Sequence, residues 1–233
     1  MIKDFEIIPV YRGVSEIKPI FKLLKTTKTK AWILGGYVRY MCSPTQNPIK
    51  AGDVDIYCRT KESFEIHKTK FSKYLSVYNE NPISITFIRP KEIKNPFFRC
   101  PTIQLIKPLK QGAVVTKGSL TTILNNFDFS VVRLGIHPLG KVFADKDYLK
   151  DEKQQILRIK NIHCPISSLF RCIKYQKKGY HLPAVEILKL FRNWEQRTET
   201  YKSEIEKALN ELSTNKNIQQ EQIDKLEKLM RID

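Results

Sequence analysis

Apolar residues fall in short clusters, and their period changes along the chain. Residues 1–13 read as an irregular or short extended arm. Ile17, Ile20, Phe21 and Leu24 recur at helical spacing and predict a helix over 15–24. A compact apolar run at 30–34 predicts a strand that stops at Gly35 and Gly36, and 37–41 opens a helix. After a polar loop, 53–57 alternates acid with apolar and reads as a strand. A helix is predicted over 62–74, a turn or short strand over 78–81, strands over 83–88 and 102–106, and a loop between those two strands. Ser119 caps a short helix over 120–125. An apolar run follows at 131–135, a turn and strand at 140–145, and a helix at 151–157. Beyond that the pattern is helical throughout: 167–178 closed by Gly179, then Pro183 to about 195, 200–212 and 218–230. These elements define an α+β protein. A head with a small mixed sheet of about four or five strands and flanking helices occupies 1–150, and an all-helical neck and body occupies 151–233.

Charge narrows the partners. The 233 residues carry 41 Lys and Arg against 24 Asp and Glu, a net charge of +17. That excess favours a polyanion, nucleic acid before an anionic membrane surface. From residue 201 onward acids slightly outnumber bases, so the basic surface lies on the head and neck. The final helices look like packing or homodimer elements. The five cysteines at 42, 58, 100, 164 and 172 form no CxxC pair, which fits reduced thiols better than a zinc knuckle or disulfide framework. The start is too charged for a signal sequence and no window approaches 18 apolar residues, so a cytoplasmic protein with no membrane span is expected.

The chemistry concentrates at Asp53 and Asp55. On a strand these two carboxylates share a face, about 7 Å apart, while Val54 and Ile56 point into a core. Two parallel acids so close call for a positive charge between them, and a hard divalent cation such as Mg²⁺ suits their oxygens. Gly35 and Gly36 just upstream let backbone approach a phosphate closely, with the start of the following helix as an anion site. Arg39 is placed either to meet a phosphate or to brace the acidic strand. The four histidines show no ligand spacing. Tyr175 and Tyr180 are candidates for stacking on a base or for packing, and Lys107, Lys110 and Lys117 for contacting an RNA backbone.

Gly35, Gly36, Val38 and Arg39 with Asp53, Val54 and Asp55 resemble the signature of the polymerase-β-like nucleotidyltransferases, closest to the head and neck of bacterial-type tRNA CCA-adding enzymes and poly(A) polymerases. The likeness runs over roughly 30–180. It implies that the diglycine turn binds a triphosphate and that Asp53 and Asp55 hold Mg²⁺, with two ions activating a 3′-hydroxyl and steadying pyrophosphate. It places Asp128 as an organiser of the nucleotide's sugar or as a third metal carboxylate, and Arg171 and Lys174 on the neck helix as triphosphate ligands. Gly140 to Asp145 and Leu157 with Arg158 continue the match. The sequence departs from the family at Tyr40, where Asp is usual, at Asn126 and Phe127, where arginines are usual, at Val132, and at Ser167 or Ser168 in place of a neck arginine. Glu186 with Arg192, or Glu195 with Arg197, are loose candidates for a base-reading pair.

The expected function is template-independent, metal-dependent transfer of nucleotides from ATP or CTP to an RNA 3′ end, a tRNA or tRNA-like end first. Two alternatives stand beside it. One is a nucleotidyltransferase acting on a protein or small molecule. The other is a catalytically inactive RNA-binding protein on the same fold.

Overall fold

The computed structural model describes residues 4–25, 30–46, 48, 50–89, 102–111, 114–137 and 140–214. The loop at 90–101, with Cys100, and the helix expected at 218–230 lie outside the described residues.

An eight-stranded sheet forms the head. Its strands are β1 (Phe5–Ile8), β2 (Ala31–Leu34), β3 (Val54–Cys58), β4 (Ser76–Glu80), β5 (Ser84–Ile88), β6 (Thr102–Ile106), β9 (Leu134–Ile136) and β10 (Val142–Asp145); β7 (Lys110–Gln111) and β8 (Val114–Val115) form a separate ribbon. The sheet order is β1-β10-β9-β2-β3-β6-β5-β4. β3 and β6 pair in parallel and the other neighbours antiparallel. The sequence pattern suggested only four or five strands. β10 falls within the turn and strand expected at 140–145, whereas β1 and β9, with four and three residues, are too short to show a period of two.

The sheet's two faces have opposite roles. Val54, Ile56 and Cys58 of β3 join Ala31 and Ile33 of β2 in the main core. That core is covered by α1 (Val14–Lys25), through Ile17, Ile20 and Leu24, by α2 (Gly36–Cys42), through Val38 and Met41, and by α3 (Lys61–Ser72), through Phe64 and Phe71. The opposite face carries Asp55 and Tyr57, whose cross-strand partners on β2 are Leu34 and Trp32. Leu34 and Trp32 pack on Leu120, Ile123 and Leu124 of α4 (Leu120–Leu124). Ser119 caps α4 as expected, accepting from the Thr122 amide at 3.1 Å.

The remaining elements are α5 (Tyr148–Gln154), α6 (Pro165–Gln176), α7 (Ala184–Glu195) and α8 (Glu199–Thr214). The helix read at 151–157 therefore begins and ends three residues earlier. It stops because Gln155 turns left-handed, at φ 51°. Leu157 then leaves the helix, and its amide donates to the carbonyl of His181 at 2.8 Å. α6 starts two residues before the predicted 167 because Pro165 suits a first helical turn. A second core, with Phe129, Val131, Leu157, Cys172, Tyr180 and Leu190, joins these helices to the segment after α4. α8 closes the far end through Tyr201, Ile205 and Ala208 against Ile166 and Trp194. No helix among the described residues is long and apolar enough to cross a membrane, and the four described cysteines are buried and free.

Candidate active site

β3 lies in the middle of the sheet, and its outward face builds the floor of the site. Asp53 stands just before the strand and Asp55 within it, both half-buried. Gln104 on the parallel neighbour β6, in register with Asp55, donates to Asp53 Oδ2 at 3.0 Å and fixes that carboxylate. Burial first, and the charge of Asp53 second, push the Asp55 carboxyl up to about 7, while Lys174 pulls it down. The protein thus holds Asp55 partly buried beside a second acid.

The diglycine turn abuts these acids. Asp55 pairs with Leu34, the residue before Gly35. Gly35 has φ 74° and ψ −137°, a conformation that glycine alone adopts readily. A Cβ there would also lie 3.5 Å from Asp55 Oδ2 and 3.5 Å from the Phe127 ring. Next to it, a Cβ on Gly36 would meet only Ala51, at 3.9 Å. The turn therefore presents bare backbone beside the acid pair.

The third side is cationic. Arg171, Lys174 and Lys178 follow one another at helical spacing on and just beyond α6. Arg171 Nη1 donates to Asp128 Oδ2 at 2.8 Å, and Ser168 Oγ donates to the same oxygen at 3.3 Å. Asp128 is 5% exposed, whereas most of the Arg171 side chain is open. The buried carboxylate holds Arg171 firmly charged and aims it. Burial and the neighbouring cations Lys174 and Arg39 push the Lys178 ammonium down, and Asp53 pulls it up. Lys178 also sits 5.3 Å over the Tyr175 ring. Lys174 acts electrostatically on Asp55 and Asp53 on Lys178, so the neck cations share the neighbourhood of the acids and the glycine turn.

Arg39 lies apart from this set. It is 2% exposed, and its Nη1 donates to Glu152 Oε1 at 3.2 Å and to the Tyr180 hydroxyl at 2.9 Å. Tyr180 in turn donates to Glu152 Oε2 at 2.5 Å. Burial alone would lower the Arg39 pKa; Tyr180 and Glu152 more than offset it. The carboxylate accompanying Arg39 is thus Glu152 on α5, and Tyr40 packs on Tyr37. The node ties α2 to α5 and to the end of the neck helix.

Several residues singled out in the sequence have structural duties. Tyr180 is buried in that node, and Tyr175 packs on Phe129 and Tyr180. Lys107 is bound to Glu80 at 2.9 Å and to the carbonyl of Asn81 at 2.7 Å. Glu186 is buried; it accepts from the Ile159 amide at 2.8 Å and pairs with Lys189, so it has no face for a base. Arg197 donates to Asn193 and to the carbonyl of His163. Conversely, Gln104, Tyr57, Ser168 and Lys178 belong to the site. Gln104 was signalled by its polarity inside an apolar strand. Tyr57 was signalled by the same alternation that marked the acids.

Among the described residues no three His, Cys, Asp or Glu side chains come together as a metal cage. Asp128 is committed to Arg171 rather than grouped with Asp53 and Asp55. The pair alone still fits a hard divalent cation. Its ligands are all oxygen, and Mg²⁺ commonly takes one or two carboxylates with substrate phosphates and water.

Solved structures share this architecture. The Thermotoga maritima CCA-adding enzyme complexed with tRNA superposes with a TM-score of 0.56 at 13% identity, over 81% of this chain and 45% of that one. The Bacillus stearothermophilus CCA-adding enzyme in complex with CTP gives 0.55 at 18% identity, over 74% and 41%. A CCA-adding enzyme in complex with ATP gives 0.54 at 15% identity, over 97% and 56%. At these identities the likeness is one of fold: a mixed-sheet head followed by helices. The chain matches about half the length of these proteins. No family model matches the sequence, and no curated protein is similar to it in sequence.

Proposed function

We propose that the chain is a template-independent nucleotidyltransferase that uses a nucleoside triphosphate, ATP or CTP, to extend an RNA 3′ end, with a tRNA or tRNA-like end as acceptor. The observation that carries this reading is the juxtaposition of three kinds of group. Asp53 and Asp55, at the start of a central strand, border a Cβ-free turn, and the neck cations Lys174 and Lys178 act on them electrostatically. A ligand that satisfies all three must carry cations for the acids and negative oxygens for the neck, which describes a metal-bound triphosphate. The CTP and ATP bound by the structurally similar CCA-adding enzymes, and the tRNA bound by one of them, support the choice of substrates. The +17 charge of the chain supports a polyanionic acceptor.

In this reading Asp53, steadied by Gln104, and Asp55 hold Mg²⁺. Bound there, the ion supplies Lewis-acid activation of the attacking hydroxyl and neutralises charge on the phosphates. The chain's own residues do the rest. The turn at Gly35 and Gly36 admits the phosphates without a steric clash. Arg171, aimed by Asp128, and Lys174 bind the phosphate oxygens and offset charge that builds on the leaving pyrophosphate. Lys174 also lowers the pKa of Asp55, favouring the ionised form that a metal requires.

The test is incubation with Mg²⁺, each labelled triphosphate and total RNA, followed by sequencing of extended 3′ ends. Extension that is lost in Asp53→Ala and Asp55→Ala supports the reading. Label on protein without RNA, or RNA binding without turnover under varied metals, refutes it in favour of a different acceptor or an inactive binder.

A further inference from the structure

Tyr57 and Phe127 occupy a distinctive place beside the acids. Tyr57 follows Asp53 and Asp55 on the outward face of β3, and its half-buried ring lies 5.8 Å from that of Phe127, tilted by 52°. Both rings rest on the cluster beneath α4 and are only partly covered by it. Phe127 also touches the glycine turn. Its ring edge and Asp55 Oδ2 both lie 3.5 Å from the point where a Gly35 Cβ would stand. Tyr57 also lies in the electrostatic field of Asp55, Arg171, Asp128 and Asp53. An aromatic surface thus adjoins the place where acids and bare backbone would hold phosphates, and no charge on these two rings calls for an anion.

We infer that Tyr57 and Phe127 form an aromatic wall for the ribose and base of the incoming nucleoside triphosphate, so that the nucleoside and the phosphates are held by separable parts of the cleft. The inference rests on the reading of the cleft as a nucleotide site. A ring face against a base or sugar is tolerant of base identity, because every base offers a π-face. The wall therefore sets affinity for a nucleoside over bare phosphate, and it discriminates little between ATP and CTP.

The experiment is titration calorimetry of the full chain with Mg²⁺ and, separately, non-hydrolysable α,β-methylene analogues of ATP and CTP, and tripolyphosphate. Phe127→Ala is expected to weaken both analogues about tenfold and alike, with tripolyphosphate unchanged. Phe127→Leu keeps the apolar bulk if the alanine variant fails to fold; it should lose several-fold for the analogues and nothing for tripolyphosphate. Tyr57→Phe keeps the ring and should bind like the native chain. Equal weakening of analogues and tripolyphosphate, or no change in either, overturns the wall while the nucleotide site stands. A native chain that binds none of the three ligands overturns the nucleotide site and the wall with it.

Discussion

Replacing Asp55 with Asn isolates the electrostatic character of the acid pair. Each pH unit by which folding moves a pKa is worth about 1.4 kcal/mol. Holding Asp55 at about 7 rather than 3.8 therefore costs the ionised, cation-free fold on the order of 4 kcal/mol. Between those two values the folded chain keeps a proton that the unfolded chain has released, so this group makes stability fall as pH rises. His67 acts in the opposite sense. It is buried on α3, and burial first, with Lys70 second, lowers it from 6.5 to about 4. The unfolded chain then binds a proton that the fold refuses, and stability rises with pH across that window by on the order of 3 kcal/mol. The two effects nearly cancel, and the native protein in EDTA should show a shallow profile from these groups. Asp55→Asn removes one of them. Urea unfolding in EDTA from pH 4 to 8 should then show the variant gaining stability through the window where the native chain is level, and exceeding it by a few kcal/mol at pH 8. Added Mg²⁺ at pH 8 should stabilise the native chain and leave Asp55→Asn unmoved. Superimposable profiles for the two proteins would refute the argument.

Other consequences are measurable in the same way. Gly35→Ala should lose about 1–3 kcal/mol in urea, because φ 74° strains an L-residue, whereas Gly36→Ala should unfold within about 0.5 kcal/mol of the native chain. Glu152→Leu should cost about 3–5 kcal/mol by removing the carboxylate that pairs with the buried Arg39 charge, and adding Arg39→Leu should recover much of that loss in a double-mutant cycle. Gly135→Ala should cost about 1–3 kcal/mol, since its Cβ would fall 2.2 Å from a methyl of Leu34 and 2.8 Å from one of Leu120. Asp128→Asn should raise the KM for the nucleotide through Arg171 by about tenfold, with Arg171→Ala at least as severe and the double variant no worse than Arg171→Ala alone.

Local pattern revealed the elements whose signal is local. β6 was read with its observed bounds, because Thr102 to Ile106 alternates cleanly. Asp53 and Asp55 were visible as a pair because they stand two residues apart at the start of one strand. The partners of Arg39 were out of reach: Glu152 and Tyr180 lie 113 and 141 residues further along the chain. The same holds for the clamp on Asp53, since nothing in a single sequence sets the parallel register that brings Gln104 beside it. Asp128 and Arg171 were each singled out, but their direct bond spans 43 residues and emerged only from the packing of α6. Short strands such as β9 escaped because three residues carry no period. The α5 boundary moved because an αL residue stopped the helix where apolar spacing continued.

β3 is hydrogen-bonded along both edges, by β2 on one side and β6 on the other. Asp55 is consequently fixed by the pairing of an interior strand, while Asp53, just before it, is held by Gln104 of β6. The cations beside them hang from a separate helix that meets the head through a tyrosine–glutamate–arginine knot. The candidate site is thus divided between an anvil in the sheet and a hammer on the helix that can be re-tooled separately. Exchanging residues along α6 alters the charge beside the acids without touching the sheet's own hydrogen bonds.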